Sequence, residues 1–129
     1  MDLMAMMGGS MPQSMPTGMD MTAVQRCVEA CSACEQACTM CAGMGGDAMH
    51  AALCLGCADM ATTTMRMALR PAHAPSLMAT CRAMSAMATA CAEECATHPD
   101  DPVMAMCAQA CRECASACEG MLTSMKAMA

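Results

Sequence analysis

The sequence has no Phe, Tyr or Trp among its 129 residues. A core without aromatic side chains is filled by small or flexible ones, so packing alone specifies the fold weakly. The same absence removes the stacking platforms on which nucleic-acid binders hold bases, and no basic patch stands in for them. Charge is sparse, at 14% Asp, Glu, Lys and Arg, and it sums to -6. No run of about 18 apolar residues occurs, so no membrane span is expected. The opening MDLMAMMGGSMPQSMPTGMDM lacks the basic segment and the apolar stretch of a secretory leader. A cytoplasmic location is therefore expected, where thiols stay reduced.

What is present is sulfur. The 57% apolar fraction is carried mainly by Ala, 22 Met and 14 Cys. That share of cysteine exceeds the level that marks a disulfide or metal scaffold. The cysteines are also ordered. In the last segment they fall at Cys107, Cys111, Cys114 and Cys118, and methionine continues the rhythm at Met104, Met121, Met125 and Met128. Steps of three and four place all these side chains on one stripe of an α-helix. In an ordinary bundle that stripe is the dry aliphatic seam.

Residues 1–19 are expected to be a disordered, Met-rich tail, broken by Gly8, Gly9, Pro12, Pro16 and Gly18. Its methionines would suit capture of Cu(I), an ion that favours thioethers. Residues 20–129 then form one domain. Helix one is predicted from Met21 to about Met44, capped by Asp20, with Thr22 and Gln25 at capping-box spacing. Its stripe is Cys27, Cys31, Cys34, Cys38 and Cys41, and Gly45-Gly46 ends it. Asp47 caps helix two, which runs to about Arg70 with His50, Cys54, Cys57, Ala61, Thr64 and Ala68 in line. A second stripe of Leu53, Met60 and Met67 reads as core or subunit interface. After a turn from Pro71 to Pro75, Ser76 is the expected cap of helix three, which carries Leu77, Cys81, Met84, Ala88, Cys91 and Cys95 to about Thr97. Asp101 at a cap and Pro102 at the first helical position open helix four.

Short turns make neighbouring helices antiparallel. The expected fold is all-α, an antiparallel up-down-up-down four-helix bundle with a Cys-lined core. Folding the turns back groups the stripes into levels. These are Cys41, His50, Cys95, Cys107; then Cys38, Cys54, Cys91, Cys111; then Cys34, Cys57, Ala88, Cys114; then Cys31, Ala61, Met84, Cys118; then Cys27, Thr64, Cys81, Met121. A cysteine-free level of Val24, Ala68, Leu77 and Met125 would plug one end, and His50, His98, Met44 and Met104 would ring the other as a mouth. His73 reads as a solvated loop residue.

Three uses for so many inward thiols compete. As plain core they would bring an oxidation hazard that Ala or Val avoids. As disulfides within a helix they fit badly, because Cβ atoms one turn apart are about 5–6 Å from each other and a disulfide wants about 3.5–4.5 Å. Cross-helix disulfides remain open. As metal ligands, Cys-x-x-x-Cys pairs such as Cys27/Cys31, Cys34/Cys38, Cys91/Cys95, Cys107/Cys111 and Cys114/Cys118 can each hold one ion across a helical turn. Two soft ligands per ion describe Cu(I) better than tetrahedral Zn(II). The cysteine runs of iron–sulfur proteins are missing.

The stretch CAEECATHPDDPVMAMCAQACRECASACEGM, from Cys91 to Met121, resembles the bacterial copper storage proteins, as does the run from Cys27 to Cys41. The resemblance spans about residues 20–128. It implies about one Cu(I) per thiolate, pairwise binding by Cys-x-x-x-Cys, His and Met near the open end, and a tetramer of bundles. The chain departs from the pattern in a lean helix two, with Cys54 and Cys57 alone, and in a longer Met-rich tail. The expected ligands are the fourteen cysteines with His50, Met84, Met104 and Met121, and the expected cargo is several Cu(I) ions. An enzyme is not expected, since no carboxylate lies on the inner stripes. A redox-active or disulfide-stabilised helical protein, or a Cu(I) chaperone, is the alternative.

Overall fold

The computed structural model describes residues 20–70 and 73–126. It contains four α-helices: α1 (Met21–Gly43), α2 (Ala48–Ala68), α3 (Ala74–Ala96) and α4 (Pro102–Lys126). The expected tail, Pro71 and the terminal Met128 lie outside the described residues. At 1.5 Å per residue, helices of 21–25 residues are roughly 32–38 Å long. They are rich in Ala, Met and other unbranched residues, which lose little side-chain freedom on becoming helical.

Each helix begins where a side chain accepts an otherwise unpaired backbone N–H. Asp20 Oδ1 takes Thr22 N at 3.0 Å and Asp47 Oδ1 takes His50 N at 2.8 Å. Asp101 Oδ1 takes Val103 N and Met104 N at 2.9 and 3.2 Å. The third start differs from expectation. Its cap is His73, exposed, whose Nδ1 accepts Ser76 N at 3.3 Å. Ser76 lies inside the first turn, and Pro75 is helical rather than part of the connection. Proline suits that place because its missing N–H belongs to a group the helix cannot satisfy anyway. The Thr22/Gln25 capping box is not formed either. The helix already includes Thr22, and Gln25 Nε2 donates along α1 to Glu29 Oε1 at 2.6 Å.

The α1–α2 connection is set by Gly45 and Gly46, at φ +117° and +97°, the only positive φ values among the described residues. A Cβ on Gly46 would sit 3.0 Å from His50 Cδ2. Gly46→Ala should therefore cost about 1–3 kcal/mol in urea unfolding, while Gly43→Ala, with nothing within 4 Å of the new Cβ, should not destabilise.

The helices stand in a square. α1 packs against α2 and α4, and α3 against α4 and α2, with successive helices antiparallel. The largest fully buried side chains are Leu77, Met84, Met121, Val24 and Thr64, and cysteines follow. The predicted plug is present, with Val24, Ala68, Leu77 and Met125 all buried and Met21 and Leu122 packed beside them. Outside, Ser85 Oγ donates to Glu119 Oε1 at 2.6 Å and Arg26 Nη2 to Ser116 Oγ at 3.2 Å, tying α4 to α3 and to α1. Leu53, Met60 and Met67 are half-buried against the core. No helix among the described residues is long and apolar enough to cross a membrane.

Candidate metal centre

All fourteen cysteines are buried and free of disulfides. Their sulfurs form a lattice. Within α1, Cys27 and Cys31 lie 4.0 Å apart and Cys34 and Cys38 lie 3.9 Å apart. Between helices, Cys31 meets Cys114 at 3.7 Å, and Cys34 meets Cys57 and Cys111 at 3.7 and 3.8 Å. Cys38 is a hub. It lies 3.5 Å from Cys111, 3.7 Å from Cys107 and 3.9 Å from Cys91. Cys54 joins at 3.9 Å from Cys91.

Several groups converge closely enough to share an ion, each with ligand atoms within 4.8 Å of one another. They include Cys34, Cys38, Cys57 and Cys111; Cys38, Cys91, Cys107 and Cys111; Cys54, Cys91, Cys95 and Cys107; and Cys27, Cys81 and Cys118. A fifth contains histidine, combining His50 with Cys41, Cys54 and Cys95.

The expected levels hold in part, since Cys38, Cys91 and Cys111 converge and Cys54 lies beside Cys91, but sulfurs also join across levels. Cys107 groups with Cys38 as well as with Cys95 of its expected level, and Cys114 meets Cys31. Cys111 sits between Cys34 and Cys38, touching both. Cys54 rises to join Cys41, His50 and Cys95. The reason is knob-into-hole packing, in which a side chain on one helix fits between two on its neighbour. The stagger brings each thiol near sulfurs at two heights.

His50 is 3% exposed. Its Nε2 lies 3.4 Å from Cys41 Sγ and 3.6 Å from Cys54 Sγ. Nδ1 has no hydrogen bond but faces Glu94 Oε1 at 3.6 Å. Glu94 is the residue that sequence reasoning missed. A carboxylate behind a ligating imidazole orients the ring and fixes its tautomer. Its signal was faint, since it needs the end of α3 to lie over the start of α2. His98 is exposed, with its ring edge-on to His50 at 6.4 Å between centroids. It lines an open cleft of about 630 Å³ with Met44, Asp100 and Asp101. Met104 is half-buried at the same end. Met84 and Met121 are fully buried, one turn from Cys81 and Cys118 on their stripes.

Proton affinity is unevenly divided among the thiols. Burial pushes Cys54 and Cys95 well above the ordinary thiol range. S–H donation from Cys111, then Cys34 and Cys38, pulls Cys57 down to about 5. The two directions act in different pH windows. A thiol held low in the folded chain adds stability that grows up to the ordinary thiol value of about 8.5 and stays constant above it. A thiol held high keeps its proton after the unfolded chain has lost its own, so its contribution drains away as pH rises further. The metal-free protein should melt at least about 5 °C lower at strongly alkaline pH than near neutrality, as followed by thermal scans under reducing conditions.

The only buried polar residues apart from the thiols, among those described, are His50, Thr64 and Ser85. Among the described residues the interior thus offers soft ligands and one imidazole.

A sequence model described as copper storage protein matches residues 17–123. The chain belongs to the copper storage protein family. Among solved structures, the copper storage protein Ccsp from Streptomyces lividans, loaded with 10 copper equivalents, is 32% identical with a TM-score of 0.78. The match covers 83% of this chain and 89% of that one. A second structure, of copper loading to a cytosolic copper storage protein from Streptomyces lividans with five coppers, is also 32% identical, with a TM-score of 0.74 and coverage of 79% and 93%. The Cu(I)-bound copper storage protein BsCsp3 is 27% identical, with a TM-score of 0.69 over 78% of this chain and 98% of that one. No curated protein matches the chain. Family members with 10 and five coppers bound share this fold, and here the same bundle encloses fourteen thiols.

Proposed function

We propose that the protein stores and buffers Cu(I), holding many ions per chain on thiolates inside the bundle. The observation that carries this reading is the continuous lattice of buried free sulfurs at 3.5–4.0 Å. Two thiolates bound to one ion at about 2.3 Å each would be up to about 4.6 Å apart. The pairs in α1, at 4.0 and 3.9 Å, need to open by at most about 0.7 Å. The ligands are the fourteen cysteines, with His50 completing the group nearest the mouth and Met84, Met104 and Met121 extending the sulfur stripes. Ions enter beside His50, His98, Met44 and Met104 and are passed inward between neighbouring sulfurs, since Val24, Ala68, Leu77 and Met125 close the other end. Each Cu(I) displaces thiol protons, so loading weakens as pH falls. The role is storage without turnover, in the cytoplasm, with the bundles assembled as a homotetramer.

Anaerobic titration of the reduced protein with Cu(I), against a chromophoric Cu(I) chelator, tests this. Tight uptake of about a dozen ions per chain is expected, on the reading of about one ion per thiolate. Saturation at one or two would fit a chaperone and overturn storage.

A further inference from the structure

The charge of the bundle is polarised along its axis. The two stretches that build the mouth half, 36–57 and 88–109, contain five carboxylates and no Lys or Arg. These are Asp47, Glu93, Glu94, Asp100 and Asp101, all exposed except the half-buried Glu94. The rest of the described chain is balanced, with six acidic residues against all six basic ones. The net charge of the described bundle therefore resides wholly in its mouth half. The exposed apolar side chains follow the same bias. Met40, Met44, Met49 and Met106 are 52%, 68%, 83% and 44% exposed, and all four belong to these two stretches.

Such a surface selects among Cu(I) donors. Cu(I) carried by small anionic thiols arrives as a negatively charged complex and is repelled. A cationic donor is drawn in, because a field of one sign at a cleft raises encounter rates with the opposite sign. Flexible thioethers adapt to varied partner surfaces and can touch a soft ion during transfer. We infer that the mouth face is a docking surface for a Cu(I)-carrying polypeptide whose thiolate pair is ringed by Lys or Arg. This rests on the storage reading. Transfer is a ligand exchange without redox change: Cu(I) leaves the donor's two thiolates for two thiols of this chain, and the protons released here are taken up by the donor's sulfurs or by solvent.

The test uses the full reduced chain and two synthetic donors. Each is a peptide carrying Cu(I) on a Cys-x-x-Cys pair, one flanked by lysines and one by glutamates. Stopped-flow transfer at low ionic strength should be at least about tenfold faster from the lysine peptide. The gap should close at high salt, where the Debye length falls to about 3 Å. In the triple variant Glu93→Gln, Asp100→Asn, Asp101→Asn the gap should shrink several-fold, and Asn keeps the α4 cap. Equal rates from the two peptides would overturn the docking face, as would an undiminished gap in the variant. Chelator competition on the same samples separates the two readings. Full capacity with equal rates removes the docking face alone, and a capacity of one or two ions removes storage and the docking face together.

Discussion

Loading the reduced chain with Cu(I) should raise its melting temperature by at least about 30 °C, as followed by far-UV circular dichroism without oxygen. The metal-free bundle has a weak core. It contains no Phe, Tyr or Trp, and behind Leu77, Met84, Met121 and Val24 the fully buried side chains are small. Its thiols contribute as modest apolar groups that press against one another. A bound ion changes this, because it bonds sulfurs of different helices. Cys38 alone lies within 4 Å of partners on α3 and α4, and Cys34 within 4 Å of partners on α2 and α4. The unfolded chain cannot assemble such groups in advance, so binding energy becomes folding energy. A site filled at a hundred times its Kd adds about 2.7 kcal/mol, and a dozen such sites add about 30 kcal/mol. That exceeds the whole stability of an ordinary domain, about 5–15 kcal/mol. Equal melting temperatures for the two forms would mean that copper binds outside the bundle.

Leu77→Ala should cost the metal-free protein about 2–5 kcal/mol and leave the Cu(I) capacity unchanged. Leu77 is 1% exposed and heads the fully buried residues by volume. It belongs to the buried, cysteine-free plug with Val24, Ala68 and Met125. Removing its branched end leaves a cavity in the one level of the core that holds no cysteine. Against a total of about 5–15 kcal/mol the metal-free variant should be partly unfolded at moderate temperature, and copper should restore it. Urea unfolding of both forms, with a chelator titration of the loaded one, measures each half of the prediction. A loss under about 1 kcal/mol would show that the plug is not packed.

The fold was legible because each helix carries its own label. The 3-4 spacing of Cys27 to Cys41 and of Cys107 to Cys118 assigns face and period together, and Gly45-Gly46 and Pro99 to Pro102 mark where the chain reverses. Every cysteine placed inward by that spacing is buried. The axial offset between helices was not legible. A stripe is unchanged by a slide of half a turn, so Cys111 could be set level with Cys38 but not between Cys34 and Cys38, where it lies. Such an offset is decided by how knobs fill holes, which one helix does not encode by itself. The cap of α3 was missed for a chemical reason. Ser76 fits the usual cap list, whereas His73 caps through a ring nitrogen that must first be unprotonated. Glu94 was missed because it comes from another helix and faces the Nδ1 of His50 that points away from the sulfurs.

If ions enter beside His50 as proposed, the buried plug at Val24, Ala68, Leu77 and Met125 would make the bundle a vessel with one opening. A row of sites filled and emptied from the same end behaves as a stack: the last ion in is the first out. Ions around His50 and Cys41 would turn over with each change in supply. Those around Cys27, Cys81 and Cys118 would stay until nearly all the rest had left. Brief loading with one copper isotope followed by another would then label the two ends differently, and the age of an ion would record its depth.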